Sequence, residues 1–399
     1  MEPATAEALT TAEGTAAIEL ALAQPDPDGL AAAAALRRSF PPELAAAALT
    51  QAGLWRTARG KFGDLLDRLP GTPLLTPAGL QQATRAEVAA HHAARFELAG
   101  ATRVFDLGCG IGADAMAFAL AGLAVTAVER DPATAVLARH NLDLARRAAG
   151  PGASEAEVII ADLADDPVHL GVGDGVYLDP ARRSSAGRTW RPEDFSPPWS
   201  RVQSLLRRAG PTAIKLGPGL PHELIEDDVE AEWISAGGDA VEVGLWSGTG
   251  AAPGRWSALI MPDLRIVAEP VELPVSPPLR YVYEPLGAVI RARAIGTLGR
   301  QLDASLLDEK LAYLTSDRLT ATPAATAFEV IDVLPYTEKV LRAWVREHRI
   351  GSLEIKQRGI DLDPALLRRK LKPRGPEAAT ILITRTPTGA RTLVVRRIP

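Results

Sequence analysis

The stretch VFDLGCGIGADAMAFA, residues 104–119, decides how this chain folds. A short apolar run typical of a β-strand leads directly into Gly108, Gly110 and Gly112, and an alanine-rich helical segment follows. Glycines at the head of a helix let a ligand approach the backbone. The pattern therefore predicts a binding loop between a strand and a helix, although a simple tight turn would use the same residues.

Apolar runs continue to alternate with helical stretches after this loop. The runs are AVTAVE (124–129), EVIIAD (157–162), GVYLD (175–179) and TAIKLG (212–217). Strand, helix and strand in repetition predict a parallel sheet with right-handed crossovers, a Rossmann-like α/β fold. We expect VEVGLW (241–246) and RWSALIM (255–261) to pair as an antiparallel hairpin that closes the sheet. Whether EAEWIS (230–235) is a further strand stays open.

Four of the predicted strands end in an acid, at the edge where open α/β sheets bind ligands. Asp106 would repel a pyrophosphate but could accept hydrogen bonds from a cationic amino acid group. Glu129 is placed to accept hydrogen bonds from ribose hydroxyls, and Asp162, with the backbone of Leu163, from an adenine amino group. Asp179 ends the fourth run. Each acid alone fits a solvated strand end, but all four together favour a nucleotide-containing ligand.

This constellation resembles the class I S-adenosylmethionine (SAM)-dependent methyltransferases over roughly residues 76–262. The resemblance implies SAM as the cofactor, held by the glycine loop, the first three acids and Leu163. A NAD-dependent dehydrogenase is the rival interpretation of the loop, and Asp106 weakens it because the carboxylate would face a pyrophosphate.

The segment before the first strand, LLTPAGLQQATRAEVAAHHAARF (74–96), looks like that of trimethylguanosine-synthase-type RNA methyltransferases. In those enzymes this segment folds over the cofactor. By that resemblance Thr76, Gln82 and Thr84 are candidates for a cofactor lid, while the alternative is that they are helix caps and packed polar residues.

The motif YLDPARR, residues 177–183, follows the fourth strand, where base N-methyltransferases carry an Asn, Asp or Ser, two prolines and an aromatic. Asp179 and Pro180 are the predicted catalytic pair, because a carboxylate or carbonyl there can accept a hydrogen bond from an exocyclic amine. Arg182 occupies the place of the aromatic, and Arg183 follows it. A guanidinium can stack on a base or pair with phosphate, so both arginines are candidates for the site.

The next segment, SSAGRTWRPEDFSPPW (184–199), is long enough to fold over the site. Its arginines and aromatics suit a flipped base or an RNA backbone, and they are Arg188, Trp190, Arg191, Phe195 and Trp199. The alternative is that the aromatics anchor the loop on the sheet while the arginines face solvent.

The single cysteine, Cys109, excludes an internal disulfide and a cysteine-based zinc site, and the six histidines lack metal-ligand spacing. Methylation at C5 of a pyrimidine needs a cysteine nucleophile, and Cys109 lies in the glycine loop on the cofactor's side. N- or O-methylation remains. The N-terminus lacks the features of an export signal and no run reaches 18 apolar residues, so we expect a cytoplasmic protein without membrane or metal.

Four segments are expected: a helical domain (1–96), a methyltransferase domain (97–262), a connector and middle segment (263–328) and an α+β module (329–399). The last follows the order β-α-β-α-β-β, a small two-layer α+β module, and we expect it to be similar to ferredoxin-like folds. Residues 335–399 carry a net charge of +9, against −14 for the rest. The predicted basic patch of the α+β module consists of Lys356, Arg358, Arg368, Arg369, Lys370, Lys372 and Arg374. Such a patch would bind phosphates, unless it is only a solvated face.

The whole chain is similar to bacterial THUMP-like domain-containing class I methyltransferases. DPARR (179–183), GSLEIKQRG (351–359), LRRKLKPRG (367–375) and ATILITR (379–385) carry this resemblance. It implies an RNA-directed enzyme that N-methylates a base in tRNA or rRNA. A protein or small-molecule substrate is one alternative, and an inactive SAM- or RNA-binding protein is another.

Overall fold

The computed structural model describes residues 1–182 and 195–398, and the chain divides into two compact units. The first contains Met1–Glu230 and Val243–Gly254, and the second contains Ala231–Glu242 and Arg255–Pro399. The four segments expected from the sequence do not correspond one to one to these two units, and their boundaries remain a prediction.

The first unit begins with helices that share a core with the α/β part of the same unit. Its helices are α1 (Pro3–Thr10), α2 (Ala12–Leu22), α3 (Leu30–Arg37), α4 (Pro42–Phe62), α5 (Leu65–Arg68), α6 (Pro77–Gln82), α7 (Ala86–Leu98), α8 (Ala113–Leu120), α9 (Pro132–Ala149) and α10 (Trp199–Leu206). Leu9, Ile18 and Leu44 of the front helices pack with Ala133 and Leu137 of α9. The helical N-terminal region expected from the alanine and leucine pattern is confirmed.

Parallel strands form the sheet of the first unit. The strands up to residue 247 are β1 (Arg103–Leu107), β2 (Ala124–Glu129), β3 (Ala156–Ile160), β4 (Gly175–Leu178), β5 (Ala181–Arg182), β6 (Phe195–Ser196), β7 (Thr212–Leu216), β8 (Glu230–Ala236) and β9 (Asp239–Ser247). In the first unit the order is β3-β2-β1-β4-β7-β9, with β9 antiparallel to β7 and the others parallel. Phe96, Phe118, Tyr177 and Trp246 pack as an aromatic core against this sheet. The carboxyl ends of β1, β2, β4 and β7 consequently meet at one edge.

The predicted hairpin between residues 241–246 and 255–261 is wrong. The first of these runs belongs to β9, which pairs with β7. The second is β10 (Trp256–Ile260), which pairs parallel with β8 and antiparallel with β11 (Leu264–Val267). EAEWIS is therefore a strand, and the Gly-rich loop is not the turn of a hairpin, because β8 lies between β9 and β10 in the strand order.

The second unit carries a seven-stranded sheet. Its remaining elements are β12 (Tyr281–Pro285), α11 (Gly287–Arg291), α12 (Ile295–Gln301), β13 (Ser305–Leu306), β14 (Leu314–Ser316), β15 (Ala325–Pro335), α13 (Glu338–Glu347), β16 (Ile350–Arg358), α14 (Pro364–Leu371), β17 (Glu377–Thr386) and β18 (Gly389–Arg397). The strand order is β13-β14-β12-β15-β18-β17-β16. The predicted succession β-α-β-α-β-β appears from β15 to β18 and is confirmed. Helices α13 and α14 bury Leu341, Leu367 and Leu371 with Leu353 and Ile355 of β16.

Candidate active site

A cavity of about 230 Å³ lies at the carboxyl edge of the first unit's sheet. Its walls are the glycine loop after β1, the residues that follow β2, β3 and β4, a lysine of β7 and the segment between α6 and α7. The predicted site residues that line it are Thr84, Asp106, Gly108, Gly110, Glu129, Asp162, Leu163 and Asp179. The sheet topology thus brings together residues that are far apart in sequence.

The glycine loop takes a backbone conformation that other residues disfavour. Gly108, Gly110 and Gly112 have φ angles of 84°, 55° and 81°. Gly112 precedes α8, while Asn141 of α9 donates a hydrogen bond of 2.9 Å to the carbonyl of Ile111. Apart from chain neighbours, no atom of the described residues lies within 4 Å of where a Cβ of Gly110 would stand. The backbone of Gly110 is therefore open to a ligand.

Two buried amides position the segment before α6, and sequence reasoning missed both. Asn141 donates to the carbonyl of Leu74 and accepts from its N–H, at 2.8 and 2.7 Å. Gln51 of α4 makes the same pair of bonds with Leu75, both at 2.8 Å. Because both amides are at most 1 % exposed, these bonds are shielded from water and hold the wall of the cavity.

Asp106 is the most buried acid of the cavity, with 1 % of its surface exposed. Burial raises the pKa of Asp106 well above its usual range, and the negative charges of Asp114 and Asp179 raise it further. Among the described residues its Oδ2 has no hydrogen-bond partner. A buried acceptor without a donor is costly, so this oxygen is suited to a ligand that brings a positive charge and N–H groups.

Glu129 and Asp162 both accept hydrogen bonds from the backbone. Glu129 receives the N–H of Gly110 at 3.0 Å and that of Asp131 at 2.8 Å, so it ties β2 to the glycine loop. Asp162 is exposed and accepts from the N–H of Ala164 at 2.9 Å, at the start of a 3₁₀ turn. Both residues line the cavity, and a carboxylate has more lone pairs than these bonds use.

Asp179 forms an ion pair that the sequence analysis did not include. Its Oδ2 lies 2.6 Å from Nζ of Lys215 on β7, with the Asp179 side chain 37 % and the Lys215 side chain 12 % exposed. Pro180 is buried directly after it. Arg182 belongs to the short strand β5, whereas Arg183 lies outside the described residues. A lysine inside the apolar run TAIKLG was a signal that could have pointed to Lys215.

Lys215 also begins a chain of buried polar side chains. Its Nζ lies 3.1 Å from Oγ1 of Thr84, and Thr84 donates to Asp114 at 2.6 Å. Nδ1 of His92 lies 2.9 Å from the other oxygen of Asp114. Burial alone would raise the pKa of Asp114. The hydrogen bond and the charge of His92 lower this pKa, and so do the charge of Lys215 and the hydrogen bond from Thr84. Asp114 is therefore an ionised acceptor.

Of the three residues predicted to form a cofactor lid, two line the cavity and one caps a helix. Thr76 caps α6 by accepting from the N–H of Gly79 at 2.9 Å, which is the capping alternative. Gln82 lines the cavity at the end of α6. Thr84 lines it too, and its hydroxyl is engaged in the polar chain.

The aromatics that follow the YLDPARR motif anchor the chain. Phe195 and Trp199 are 2 % and 7 % exposed, and their ring centroids lie 5.1 Å apart. For these two residues the anchoring alternative holds. Arg188, Trp190 and Arg191 lie outside the described residues.

The basic residues of the C-terminal module do not share one face. Lys356 pairs with Glu284 of β12 at 2.6 Å, and Arg358 lies 3.8 Å from the same carboxylate. Neighbouring Ile355 points to the opposite side, under the helices. The exposed basic residues on α14 and after it are Arg368, Arg369, Lys370, Lys372 and Arg374. The patch on α14 and after it therefore lacks Lys356 and Arg358, which the sequence analysis had included.

In the described ranges, no group of three or more His, Cys, Asp or Glu side chains is arranged so that it could hold a metal ion. Within 1–182 and 195–398, the helices are too short or too polar to cross a membrane.

The sheet order, the glycine loop and the acids at the strand ends define a class I SAM-dependent methyltransferase. Two uncharacterised SAM-dependent methyltransferases of Mycobacterium tuberculosis, from strains CDC 1551 and H37Rv, are each 36% identical to this chain over 346 residues. The match covers 84% of this chain and 92% of each relative. The chain belongs to this methyltransferase family.

Family models match both ends of the chain. A THUMP domain-like model matches residues 325–397, and a model of a domain of unknown function (DUF8688) matches residues 2–58. A crystal structure of a candidate methyltransferase from Porphyromonas gingivalis W83 has a TM-score of 0.75 at 22% identity. It covers 96% of this chain and 97% of that one, so the two share a fold. The protein is thus a class I methyltransferase with a C-terminal THUMP-like domain.

The residues of the cavity fit SAM. The cofactor carries an ammonium and a sulfonium, and Asp106 offers a buried oxygen that has no hydrogen-bond partner in the described part of the chain, with further acids nearby. The open backbone of Gly110 leaves room where a side chain would intrude. Among the described residues of the lining, acids outnumber the cations Arg130 and Lys215, and this balance favours a cationic ligand.

Proposed function

We propose that this methyltransferase N-methylates a base in structured RNA, tRNA or rRNA. The observation that carries the proposal is the Asp179 carboxylate, partly exposed at the cavity and paired with Lys215. A carboxylate at this place can accept a hydrogen bond from an exocyclic amine and direct the nitrogen lone pair to the methyl group. When bound, SAM would supply the methyl group from its sulfonium, with the neutral thioether as the leaving group.

We assign the cofactor side of the cavity to Asp106, Glu129, Asp162 and Leu163, with the backbone of the glycine loop. Asp106 would accept from the ammonium, Glu129 from ribose hydroxyls, and Asp162 with the Leu163 backbone would contact the adenine. The substrate side consists of Asp179 and Pro180, with Arg182 and Arg183 following them in the chain.

The state of Cys109 supports N-methylation over C5-methylation. Burial raises the pKa of the Cys109 thiol well above its usual range, and the charges of Asp106 and Glu129 add to this. The thiolate is the nucleophilic form, so Cys109 stays a thiol at neutral pH. The covalent route to C5 of a pyrimidine therefore lacks its nucleophile in the described part of the cavity.

The THUMP-like domain supports RNA as the substrate. Its α14 and the residues after it present five exposed basic side chains, and arrays of this kind bind phosphates without regard to sequence. Filter binding to bulk RNA between about 50 and 200 mM salt tests this. Changing Arg369, Lys372 and Arg374 to Gln should lower the salt slope by up to about three, because each phosphate contact contributes about one. Lys310→Gln, an exposed charge outside this segment, should leave the slope unchanged.

Tritium transfer from labelled SAM into total RNA of a deletion strain tests the reaction. Asp179→Ala should reduce transfer by at least ~100-fold, a typical effect of removing a proton acceptor, while calorimetry shows SAM binding within about threefold. Mass spectrometry of the nucleosides would identify the methylated base. Label that enters protein instead of RNA would refute the RNA substrate, and SAM binding without any transfer would refute an active enzyme. Unchanged transfer by Asp179→Ala would remove that residue from the mechanism.

A further inference from the structure

The polar chain behind Asp179 has a fixed direction. Asp114 is ionised and can only accept, so its two hydrogen bonds must come from Nδ1–H of His92 and from the hydroxyl of Thr84. That hydroxyl has one hydrogen, which is then committed to Asp114. The Thr84 oxygen must therefore accept from Lys215, which also reaches Asp179.

This direction decides between two roles for the chain. A proton wire needs each member to donate to the next in one direction. Here the bonds run from Lys215 through Thr84 to Asp114, but from His92 they run the opposite way, so both ends donate toward Asp114 and no proton can pass from one end of the chain to the other. The chain is therefore suited to hold the ammonium of Lys215 in place rather than to carry protons.

We infer that Thr84 is a positioning residue, which fixes Lys215 so that Lys215 holds the Asp179 carboxylate toward the substrate. Thr84 is 5 % exposed and Asp114 is 7 % exposed, so water competes little for these bonds. Thr84 lies between α6 and α7, Asp114 in the first turn of α8 and Lys215 on β7, so the bonds also join three walls of the cavity. The inference rests on the role proposed for Asp179. It also moves Thr84 from the cofactor contact expected from sequence to the support of the catalytic acid.

The decisive variant is Thr84→Val, which keeps the shape of the side chain and removes the hydroxyl. Turnover on total RNA of a deletion strain should fall about tenfold, as expected for a lost hydrogen bond to a charged group, while KM and the Kd for SAM change less than about twofold. Thr84→Ser should restore turnover. Thr126→Val is a matched control, because Thr126 is also 5 % exposed and its hydroxyl also bonds a carboxylate, that of Glu157 at 3.1 Å.

A spectroscopic measurement reports on the chain without any transfer. The protein has seven lysines, so a ¹⁵N-lysine-labelled sample gives few ammonium signals. We expect slow hydrogen exchange for the signal that disappears in Lys215→Met, and faster exchange or a shifted signal in Thr84→Val. Thr84→Ser and Thr126→Val should keep the wild-type signal.

Several outcomes would overturn the inference. An unchanged Lys215 signal and wild-type turnover in Thr84→Val would do so, and so would a loss of SAM affinity without a change in that signal. Should Thr84→Val fail to fold, Lys215→Met serves instead, and wild-type turnover of Lys215→Met would be equally decisive. Failure of the proposed function is distinguishable, because it would show as unchanged transfer by Asp179→Ala while the Lys215 signal still responded to Thr84→Val.

Discussion

Replacing Asp106 with Asn should stabilise the first unit above acidic pH and weaken SAM binding at the same time. Asp106 is 1 % exposed, one of its oxygens has no partner in the described structure, and the charges of Asp114 and Asp179 act on it. Asn has nearly the same shape but no charge, and its amide N–H groups can donate toward these carboxylates. The same change removes the acceptor that we assign to the SAM ammonium.

The sign of the pH dependence follows from the raised pKa of Asp106. In the unfolded chain an aspartate has a pKa of about 3.9, so above this pH the folded protein holds a proton that the unfolded chain has lost. Between that value and the raised pKa, stability falls as pH rises, by up to about 1.4 kcal/mol per pH unit. Asp106→Asn lacks this slope. The difference in unfolding free energy between variant and wild type should be near zero at about pH 4 and grow with pH.

Thermal unfolding at several pH values, together with calorimetry of SAM binding, would measure both effects. The loss of one hydrogen bond to a charged group should weaken SAM binding about 10- to 100-fold. Asp131→Asn is the control, because hydrogen bonds from Thr134 lower the pKa of Asp131 and removing that acid should give no gain at high pH. Parallel curves of Tm against pH for wild type and Asp106→Asn would refute the reasoning on stability. Unchanged SAM affinity would refute the assignment of Asp106 to the cofactor.

Three further predictions concern the same unit. Gly110→Ala and Gly122→Ala, both at positive φ, should each cost about 1–2 kcal/mol in denaturant unfolding, but calorimetry should show weaker SAM binding only for Gly110→Ala, since only Gly110 lines the cavity. Arg95→Met should lower the unfolding free energy by about 3–5 kcal/mol, because it leaves the fully buried Glu230 without the guanidinium 2.8 Å away, and a loss below 1 kcal/mol would contradict this. Cys109→Ser should keep RNA transfer, and the wild-type thiol should react with iodoacetamide more slowly than free cysteine at pH 8, because its pKa is raised.

The sequence predicted those features that depend on local pattern. The glycine loop, the parallel strands and the C-terminal α+β module follow from apolar periodicity and from glycines between elements. The carboxyl edge then collects Asp106, Glu129, Asp162 and Asp179, because parallel strands end on the same side. Which strands pair with one another was harder to predict from the sequence. The run at 255–261 pairs with β8 and β11, and such choices depend on distant surfaces rather than on the loop beside the strand.

The basic patch was predicted to include Lys356 and Arg358 for a different reason. Along a strand, successive side chains point to opposite faces, so Lys356 cannot share the face of Ile355, which packs under α13 and α14. The period of two was visible in the sequence. To assign Lys356 to one face of the sheet, one must also know which face the helices cover, and that depends on the packing of the module.

The ion pair of Asp179 and Lys215 bears on how a motif without an aromatic would position a substrate in the reaction that we propose. Asp179 lies near Asp106 and Asp114, so three carboxylates converge on one small cavity that must also admit a cation. Repulsion from the ionised Asp114 would drive the partly exposed Asp179 outward unless a positive charge offsets it. Lys215 is close enough to do so, and the chain from Thr84 to Asp114 holds it there. In the site that we propose, a carboxylate whose direction is set by buried polar groups behind it takes the place of the aromatic residue expected from the base N-methyltransferase pattern.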